Sequence, residues 1–115
     1  MIYVTDNAIT LTKGDSLALP VAINKKYEDG HVEPYEVQSG EKLRFAVSTG
    51  FYGEVGYKLH ISKQIDPNAM LIILEPSDTK SMKNKTYNYD VEITHLNGMV
   101  DTFIASTFTL VGDAE

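Results

Sequence analysis

Apolar and polar residues alternate over most of the chain, and turn-forming residues separate the alternating runs. A period of two is typical of strands that bury one face, whereas an amphipathic helix repeats its apolar positions roughly every three to four residues. Short strands between turn signals predict an all-β sandwich or barrel. The predicted strands cover 7–12, 17–24, 41–50, 56–65, 69–75 and the two arms of 87–110.

Two prolines change the character of these segments. Pro20 lies inside the 17–24 run and cannot donate a hydrogen bond to a neighbouring strand, so this run is predicted to be an edge strand or to contain a bulge. Pro76 begins a polar stretch, 76–86, which is long enough for one short helical turn. We expect no longer helix anywhere in the chain.

The 87–110 segment, YNYDVEITHLNGMVDTFIASTFTL, predicts a β-hairpin. Asn97 and Gly98 are taken as the two central residues of a type I′ turn, which pairs Ile93 with Thr102. The arms then alternate between a core face and a polar face. The predicted core face carries Tyr87, Tyr89, Val91, Ile93, Val100, Ile104, Phe108 and Leu110.

Phe103 is the one large apolar residue predicted on the polar face of this hairpin. Single exposed aromatic residues are common on protein surfaces and need no functional explanation. Alternatively, an exposed ring on an otherwise polar face marks a protein contact surface. The sequence leaves both interpretations open.

The 48–57 segment, STGFYGEVGY, places Phe51, Tyr52 and Tyr57 among three glycines. One interpretation is a flexible connection between two strands of a hairpin. The other is a contact loop, because tyrosine and phenylalanine provide a large contact area at low entropic cost and suit protein interfaces or stacking on sugars. The candidate contact surface therefore consists of Phe51, Tyr52, Tyr57 and Phe103.

Composition narrows the class of protein. A chain of 115 residues with 43% hydrophobic residues is expected to fold as a single domain over 1–115. The formal net charge of −6 argues against binding to nucleic-acid backbones. The opening MIYVTDNAIT does not have the pattern of a signal peptide, and no run reaches the length of a membrane span, so neither secretion nor a membrane is expected.

Candidate chemistry is sparse. The three histidines, His31, His60 and His95, have no second ligand at metal-binding spacing, and the chain contains no cysteine. His60 is predicted to point outward from the 56–65 strand, between inward-facing Leu59 and Ile61, and His95 is predicted to be solvated near the hairpin tip. We therefore expect no catalytic residue, no metal and no cofactor.

Three stretches in order carry a family resemblance: PYEVQSGEKLRFAVS at 34–48, KQIDPNAMLIILEPSDTKSM at 63–82 and TYNYDVEITHLNGMVDTFIASTFTL at 86–110. With them, the chain resembles small prophage proteins of Gram-positive bacteria whose fold is like the N-terminal domain of the phage baseplate upper protein. The opening NAITLTKGDSLALPVAI also fits the first strands of that family.

The resemblance implies an immunoglobulin-like antiparallel β-sandwich of about seven strands with at most one short helical turn. It also implies a non-enzymatic structural or adaptor protein of a phage tail or baseplate, found in the virion after assembly in the bacterial cytoplasm. The expected partners are other tail or baseplate proteins, with self-association into a homo-oligomer as a further option.

Two other classes of function compete with this one. A small carbohydrate- or protein-binding module would use the aromatic 50–57 loop as its binding surface. A small enzyme or metal protein is the least favoured class, because no acid–base pair or ligand cluster can be assembled from the sequence.

Overall fold

The computed structural model describes residues 2–5 and 7–112, which form ten strands and one short helix. The helix, α1, spans Pro76–Thr79. Pro76 begins the helix, Asp78 Oδ2 accepts the Glu75 N–H at 2.8 Å, and the Asp78 N–H donates to the Glu75 carbonyl at 3.0 Å. The strands are β1 (Ile2–Thr5), β2 (Ala8–Thr12), β3 (Leu17–Pro20), β4 (Asn24–Lys26), β5 (Val32–Pro34), β6 (Lys42–Thr49), β7 (Lys58–Ile65), β8 (Leu71–Leu74), β9 (Thr86–Thr94) and β10 (Val100–Val111).

Six of these strands form the main sheet, in the order β1-β2-β10-β9-β6-β7. Strands β3 and β8 form a two-stranded sheet, and so do β4 and β5. Leu17 of β3 and Leu74 of β8 belong to the same buried cluster as Phe45 and Val91 of the main sheet, so the β3–β8 pair covers one face of that sheet. We call the covered face the inner face and the opposite, more polar face the outer face.

The predicted fold class, an all-β sandwich with at most one short helical turn, is confirmed. The estimate of about seven strands is too low, because β4 and β5 form a small exposed hairpin around the Asp29–Gly30 turn and β1 precedes the first predicted strand. The sheet is also not wholly antiparallel, since β2 runs parallel to β10 and pairs Ile9 with Phe108. Pro20 ends β3, and β3 pairs with β8 in a two-stranded sheet, as expected for an edge strand.

The hairpin of β9 and β10 closes differently from the prediction. Its tip is a three-residue loop, in which His95 N–H donates to the Met99 carbonyl at 2.8 Å and Gly98 N–H to the His95 carbonyl at 2.9 Å. Gly98 has a φ of +88°, the left-handed conformation that such loops require at their last residue. The type I′ prediction is therefore wrong, and the tip pairs Ile93 with Asp101 instead of Thr102.

A β-bulge at Phe103 compensates for this shift of one residue. The register changes between Thr102 and Ile104, so that Val91 pairs with Ile104 as predicted. Between the tip and the bulge, every side chain of β10 takes the face opposite to the predicted one. Phe103 consequently packs against the core instead of standing on the polar face, and Val100 is largely exposed instead of buried.

A second bulge, between Val47 and Ser48, has the same effect in the β6–β7 hairpin. Leu59 pairs with Ser48 and is exposed, although it was predicted to face inward. His60 was predicted to face outward, yet its ring lies 5.0 Å from the ring of the buried Tyr87. Ile61 is buried as predicted.

Aromatic contacts connect the centre of the core. Phe45 of β6 is fully buried, and its ring lies 5.5 Å from that of Tyr89 and 6.3 Å from that of Phe108. The hydroxyl groups of the two buried tyrosines donate to backbone carbonyls, from Tyr87 to Lys83 at 2.7 Å and from Tyr89 to Asn7. The polar ends of both rings are thus satisfied, and their apolar bodies fill the core.

We expect Phe45→Ala to destabilise the fold by about 3–5 kcal/mol, because the truncation leaves a cavity beside the rings of Tyr89 and Phe108. Urea unfolding followed by circular dichroism measures this loss. Phe51→Ala removes the same side chain from an exposed position and should change the free energy of unfolding by less than about 0.5 kcal/mol. Equal losses for the two variants would contradict the assigned core.

Candidate functional site

The loop between β6 and β7 presents two exposed aromatic rings. Phe51 is 65% exposed and Tyr52 is 92% exposed. Successive turns hold the loop, since Glu54 N–H donates to the Phe51 carbonyl at 3.0 Å and Tyr57 N–H to the Glu54 carbonyl at 3.2 Å. The predicted contact loop is therefore a connection of defined shape, and it displays its rings to solvent.

The base of this loop is joined to the main sheet. The Asn88 side-chain amide on β9 donates to the Gly50 carbonyl at 3.1 Å. Gly50 itself has a φ of +76°, and a Cβ at this position would lie 3.3 Å from the Gly56 carbonyl oxygen. A larger residue at position 50 would strain the backbone and press the two ends of the loop apart.

The structure brings together three of the four predicted contact residues, Phe51, Tyr52 and Tyr57. The rings of Tyr52 and Tyr57 meet edge to face, with centroids 5.4 Å apart. With Phe51 they border a cleft of about 340 Å³ over the outer face of the sheet, which we call the loop cleft. Its floor contains Ser48, Asn88, Asp90, Ala105 and Thr107.

Asp90 is the notable polar group on this floor. It pairs with Ala46 on one side and Ala105 on the other, so small side chains flank its carboxylate. Burial and then the nearby Glu92 raise the pKa of Asp90, while Arg44 opposes the shift. Its Oδ1 has no hydrogen-bond partner among the described residues. The alternation along β9 predicted Asp90 on the polar face. The sequence indicated no role for Asp90, because the alanines that flank it belong to other strands.

Phe103 lies elsewhere, near the tip of the β9–β10 hairpin. It borders a separate cleft of about 390 Å³ on the inner side, together with Ile23, Tyr35, Ile93, His95 and Asp101. We call it the tip cleft. The four predicted contact residues therefore do not form one surface.

A network of polar side chains centred on His95 fixes the wall of the tip cleft. The Glu41 carboxylate is only 6% exposed, and it accepts the Tyr35 hydroxyl at 2.6 Å and the Gln38 N–H at 2.7 Å. The His95 ring lies between this carboxylate and that of Asp101, with Nε2 2.7 Å from Asp101 Oδ2. His95 was predicted to be solvated, but it connects the hairpin tip to the segment before β6.

The same contacts set the protonation of this network. Hydrogen bonds that the His95 ring donates to the carboxylates of Glu41 and Asp101, together with the negative charges of these groups, raise the pKa of His95. The Tyr35 hydroxyl, the Gln38 N–H and His95 lower the pKa of Glu41. A charged imidazolium between two carboxylates is thus favoured near neutral pH. We call the Tyr35–Glu41–His95–Asp101 network the histidine clamp.

A second group of exposed apolar side chains surrounds the hairpin tip. Leu96 is 69% exposed and Met99 is 63% exposed, and Val100 beside them is also exposed. Leu96 lies against Gly40, where a Cβ would come within 2.7 Å of its Cδ2 atom. Because Gly40 has no side chain, Leu96 can pack against it at the surface.

The two apolar groups lie at opposite ends of the main sheet. Strand β6 is antiparallel to β9, with Lys42 opposite Thr94 and Ser48 opposite Asn88. The 50–57 loop follows the end of β6, whereas the hairpin tip follows the end of β9, so the two point in opposite directions. A strand of eight residues such as β6 spans about 27 Å. The two groups are therefore separated by about this distance along the strands.

The histidine clamp predicts a pH-dependent stability. Because the folded pKa of His95 is raised, its contribution is complete below the ordinary value of 6.5 and is lost as pH rises through the folded pKa. Because the folded pKa of Glu41 is lowered, its contribution is present above 4.5 and is lost as pH falls through the folded pKa. The free energy of unfolding of the wild type should therefore exceed that of His95→Gln by the largest amount between pH 4.5 and pH 6.5.

Urea unfolding of both proteins from about pH 5 to about pH 9 tests this expectation. The difference between wild type and His95→Gln should shrink as pH rises. Gln64→Ala, at an exposed and uncharged position of β7, serves as the control and should give a difference from wild type that does not change with pH. A constant difference for His95→Gln would show that the clamp does not act through its charge.

In the part of the chain that the structure describes, no group of three or more histidine, cysteine, aspartate or glutamate residues is placed to hold a metal ion. Within the same residues, no helix is long and apolar enough to cross a membrane. No protein-family model matches the chain, and no curated protein matches it.

Proposed function

We propose that this chain is a non-enzymatic structural or adaptor protein of a prophage-encoded phage tail or baseplate. The observation that carries the adaptor role is the presence of exposed apolar side chains at both ends of one sheet. Phe51 and Tyr52 stand at one end, and Leu96 and Met99 stand at the other. The tail or baseplate setting comes from the family resemblance of the three quoted stretches.

Grouping distinguishes these residues from ordinary surface residues. A single exposed apolar residue needs no explanation, but several within one loop or turn form a patch of the kind that partners cover. Aromatic residues and methionine are also enriched in the centres of protein interfaces. Each end therefore has the composition of a small contact surface.

The scaffold between the two ends suits an adaptor. Strand β9 is hydrogen-bonded to β6 and β10 along its length, and its inner side chains are buried in the common core. Such a continuous sheet holds two bound neighbours at a fixed separation. Repeated contacts of this type build symmetric assemblies, and they include contacts between copies of the same chain.

The location and partners follow from the same proposal. The protein would be assembled in the bacterial cytoplasm and retained in the virion, where it contacts other tail or baseplate proteins. Self-association into a homo-oligomer is compatible with two different contact surfaces, which join head to tail and close into a ring or extend as a fibre.

A second candidate function, carbohydrate binding, is favoured by the loop cleft. Its rings, Phe51, Tyr52 and Tyr57, stand beside the Asp90 carboxylate. Aromatic rings stack on the apolar faces of sugars, and a carboxylate oxygen accepts hydrogen bonds from sugar hydroxyls. Asp90 lines this cleft, and its Oδ1 is buried without a hydrogen-bond partner among the described residues.

The first test is mass spectrometry of phage particles purified from an induced culture of the source bacterium. We expect peptides of this chain in the particles, at a copy number comparable to that of other tail proteins. The protein's presence in the cell but absence from the particles would contradict the structural role.

Paired variants then test the two ends. Phe51→Ser with Tyr52→Ser, and separately Leu96→Ser with Met99→Ser, should each reduce incorporation into particles while leaving the free energy of unfolding within about 0.5 kcal/mol of wild type. Ile73→Ser is the matched control, because Ile73 is also an exposed aliphatic residue but lies on β8. Full incorporation of both double variants would contradict the adaptor proposal.

Titration with a panel of cell-wall sugars addresses the second candidate. Specific binding that is lost in Tyr52→Ala and in Asp90→Asn, but retained in Leu96→Ser, would establish the loop cleft as a sugar site. We expect the loss to be at least about tenfold, because stacking and a charged acceptor each contribute on the order of 1 kcal/mol or more. Binding unaffected by either change would exclude the cleft.

A further inference from the structure

A third cleft, of about 490 Å³, lies at the end of the sheet that carries the 50–57 loop. Lysines 58, 83 and 85 line it, and the first belongs to β7 whereas the other two lie at or near the start of β9. The remaining polar lining comes from Thr49, His60, Asp78, Ser81 and Tyr87. We call it the lysine cleft.

The lysine side chains of this cleft have no ion-pair partner within the part of the chain that the structure describes. Among the described residues, no carboxylate oxygen lies within the 4.0 Å ion-pair distance of Lys58, Lys83 or Lys85. Asp78 is the acidic residue in the lining, and its Oδ1 is already bound to Lys63 Nζ at 3.0 Å. Its Oδ2 accepts the Glu75 N–H at 2.8 Å. Three unpaired lysines in one cleft are unexpected in a chain with a net charge of −6.

The buried ring of Tyr87 organises these groups. The Lys85 Nζ atom lies 5.1 Å from the centroid of this ring, and the His60 ring centroid lies 5.0 Å from it. The Tyr87 hydroxyl donates to the Lys83 carbonyl at 2.7 Å, which fixes the backbone that carries a second lysine. The cleft therefore has a rigid base, although its lysine side chains are exposed.

His60 reports the electrostatic environment of the cleft. Its Nε2 is 2.7 Å from the Thr49 hydroxyl oxygen. Burial and then the charges of Lys58 and Lys85 lower the pKa of His60. An anion placed among these lysines would offset their effect and raise the pKa of His60 again. The charged groups that face this ring are Lys58 on its own strand and Lys85 across the cleft.

We propose that the lysine cleft binds a phosphate group. Lysine recognises phosphate as a point charge, whereas planar, two-point recognition of a carboxylate is better served by arginine. A phosphate carries up to two negative charges and several acceptor oxygens, so it can contact several ammonium groups at once. Hydroxyl donors from Thr49 and Ser81 line the same space. The proposal does not depend on the adaptor role, since it concerns the isolated chain.

The test is an NMR titration of the His60 ring in the purified protein. Inorganic phosphate and dimethyl phosphate are added separately, and sodium chloride at matched ionic strength provides the reference. We expect phosphate to produce a saturable change in the His60 resonances and to raise the His60 pKa, while chloride changes neither in a saturable way. Binding of both phosphate probes would assign the site to any phosphate group, and binding of inorganic phosphate alone would restrict it to the dianion.

Lysine variants provide the second arm of the test. Lys58→Gln and Lys85→Gln should each weaken phosphate binding by about tenfold, because each removes a charge-assisted hydrogen bond. Both lysines are exposed, so the variants should fold normally. Lys26→Gln is the matched control, since Lys26 is an exposed strand residue on β4 outside the lysine cleft. No saturable response of His60 to phosphate, or an equal loss in Lys26→Gln, would overturn the proposal.

Discussion

Strand β9 is hydrogen-bonded to β6 on one side and to β10 on the other. Because paired residues share a face of the sheet, the alternation along β9 determines which side chains of β6 and β10 face the core. Tyr87, Tyr89, Val91 and Ile93 all point into the core, where they are almost completely buried. A slip of one residue against either neighbour would turn that neighbour's apolar side chains to solvent. The register of β9 is therefore the constraint on which the core and each of the three clefts depend.

The two bulges place side chains that strict alternation would place elsewhere. The bulge at Phe103 returns β10 to the core register, and it leaves Asp101 on the same face as Ile93, within reach of His95. The bulge at Val47 and Ser48 turns His60 towards Tyr87 and the lysine cleft. Bulges are typical of positions where a strand must redirect a side chain. Both titratable networks of this protein owe their geometry to such local interruptions.

The sequence predicted the central strands because their alternation is long and uninterrupted, and the pairs of Tyr87 with Phe108 and of Val91 with Ile104 were found as expected. It did not predict the hairpin tip, because an Asn–Gly pair fits both a two-residue turn and the second half of a three-residue loop. The histidine clamp joins His95 to Glu41, 54 residues apart, and no local pattern reports such a contact. The exposed rings of Phe51 and Tyr52 agree with the contact-loop interpretation, which the sequence left open beside that of a flexible connection. The position of Asp90 beneath them depends on the register of three strands, which the sequence does not specify.

Separating the stable core from the contact residues has a physical consequence for an adaptor. Leu96 and Met99 lie beyond the last paired residues of β9 and β10, and Phe51 and Tyr52 lie beyond the pairs of β6 and β7. Substitution at either end therefore changes an exposed side chain without removing a buried side chain from the common core, as the proposed adaptor role requires. The histidine clamp is an exception at one end. The protonation state of His95 affects the stability of the contact between the hairpin tip and the segment before β6. A change of pH would then act on the exposed apolar residues at the hairpin tip, while the aromatic loop at the other end keeps its shape through backbone turns and the Asn88 amide.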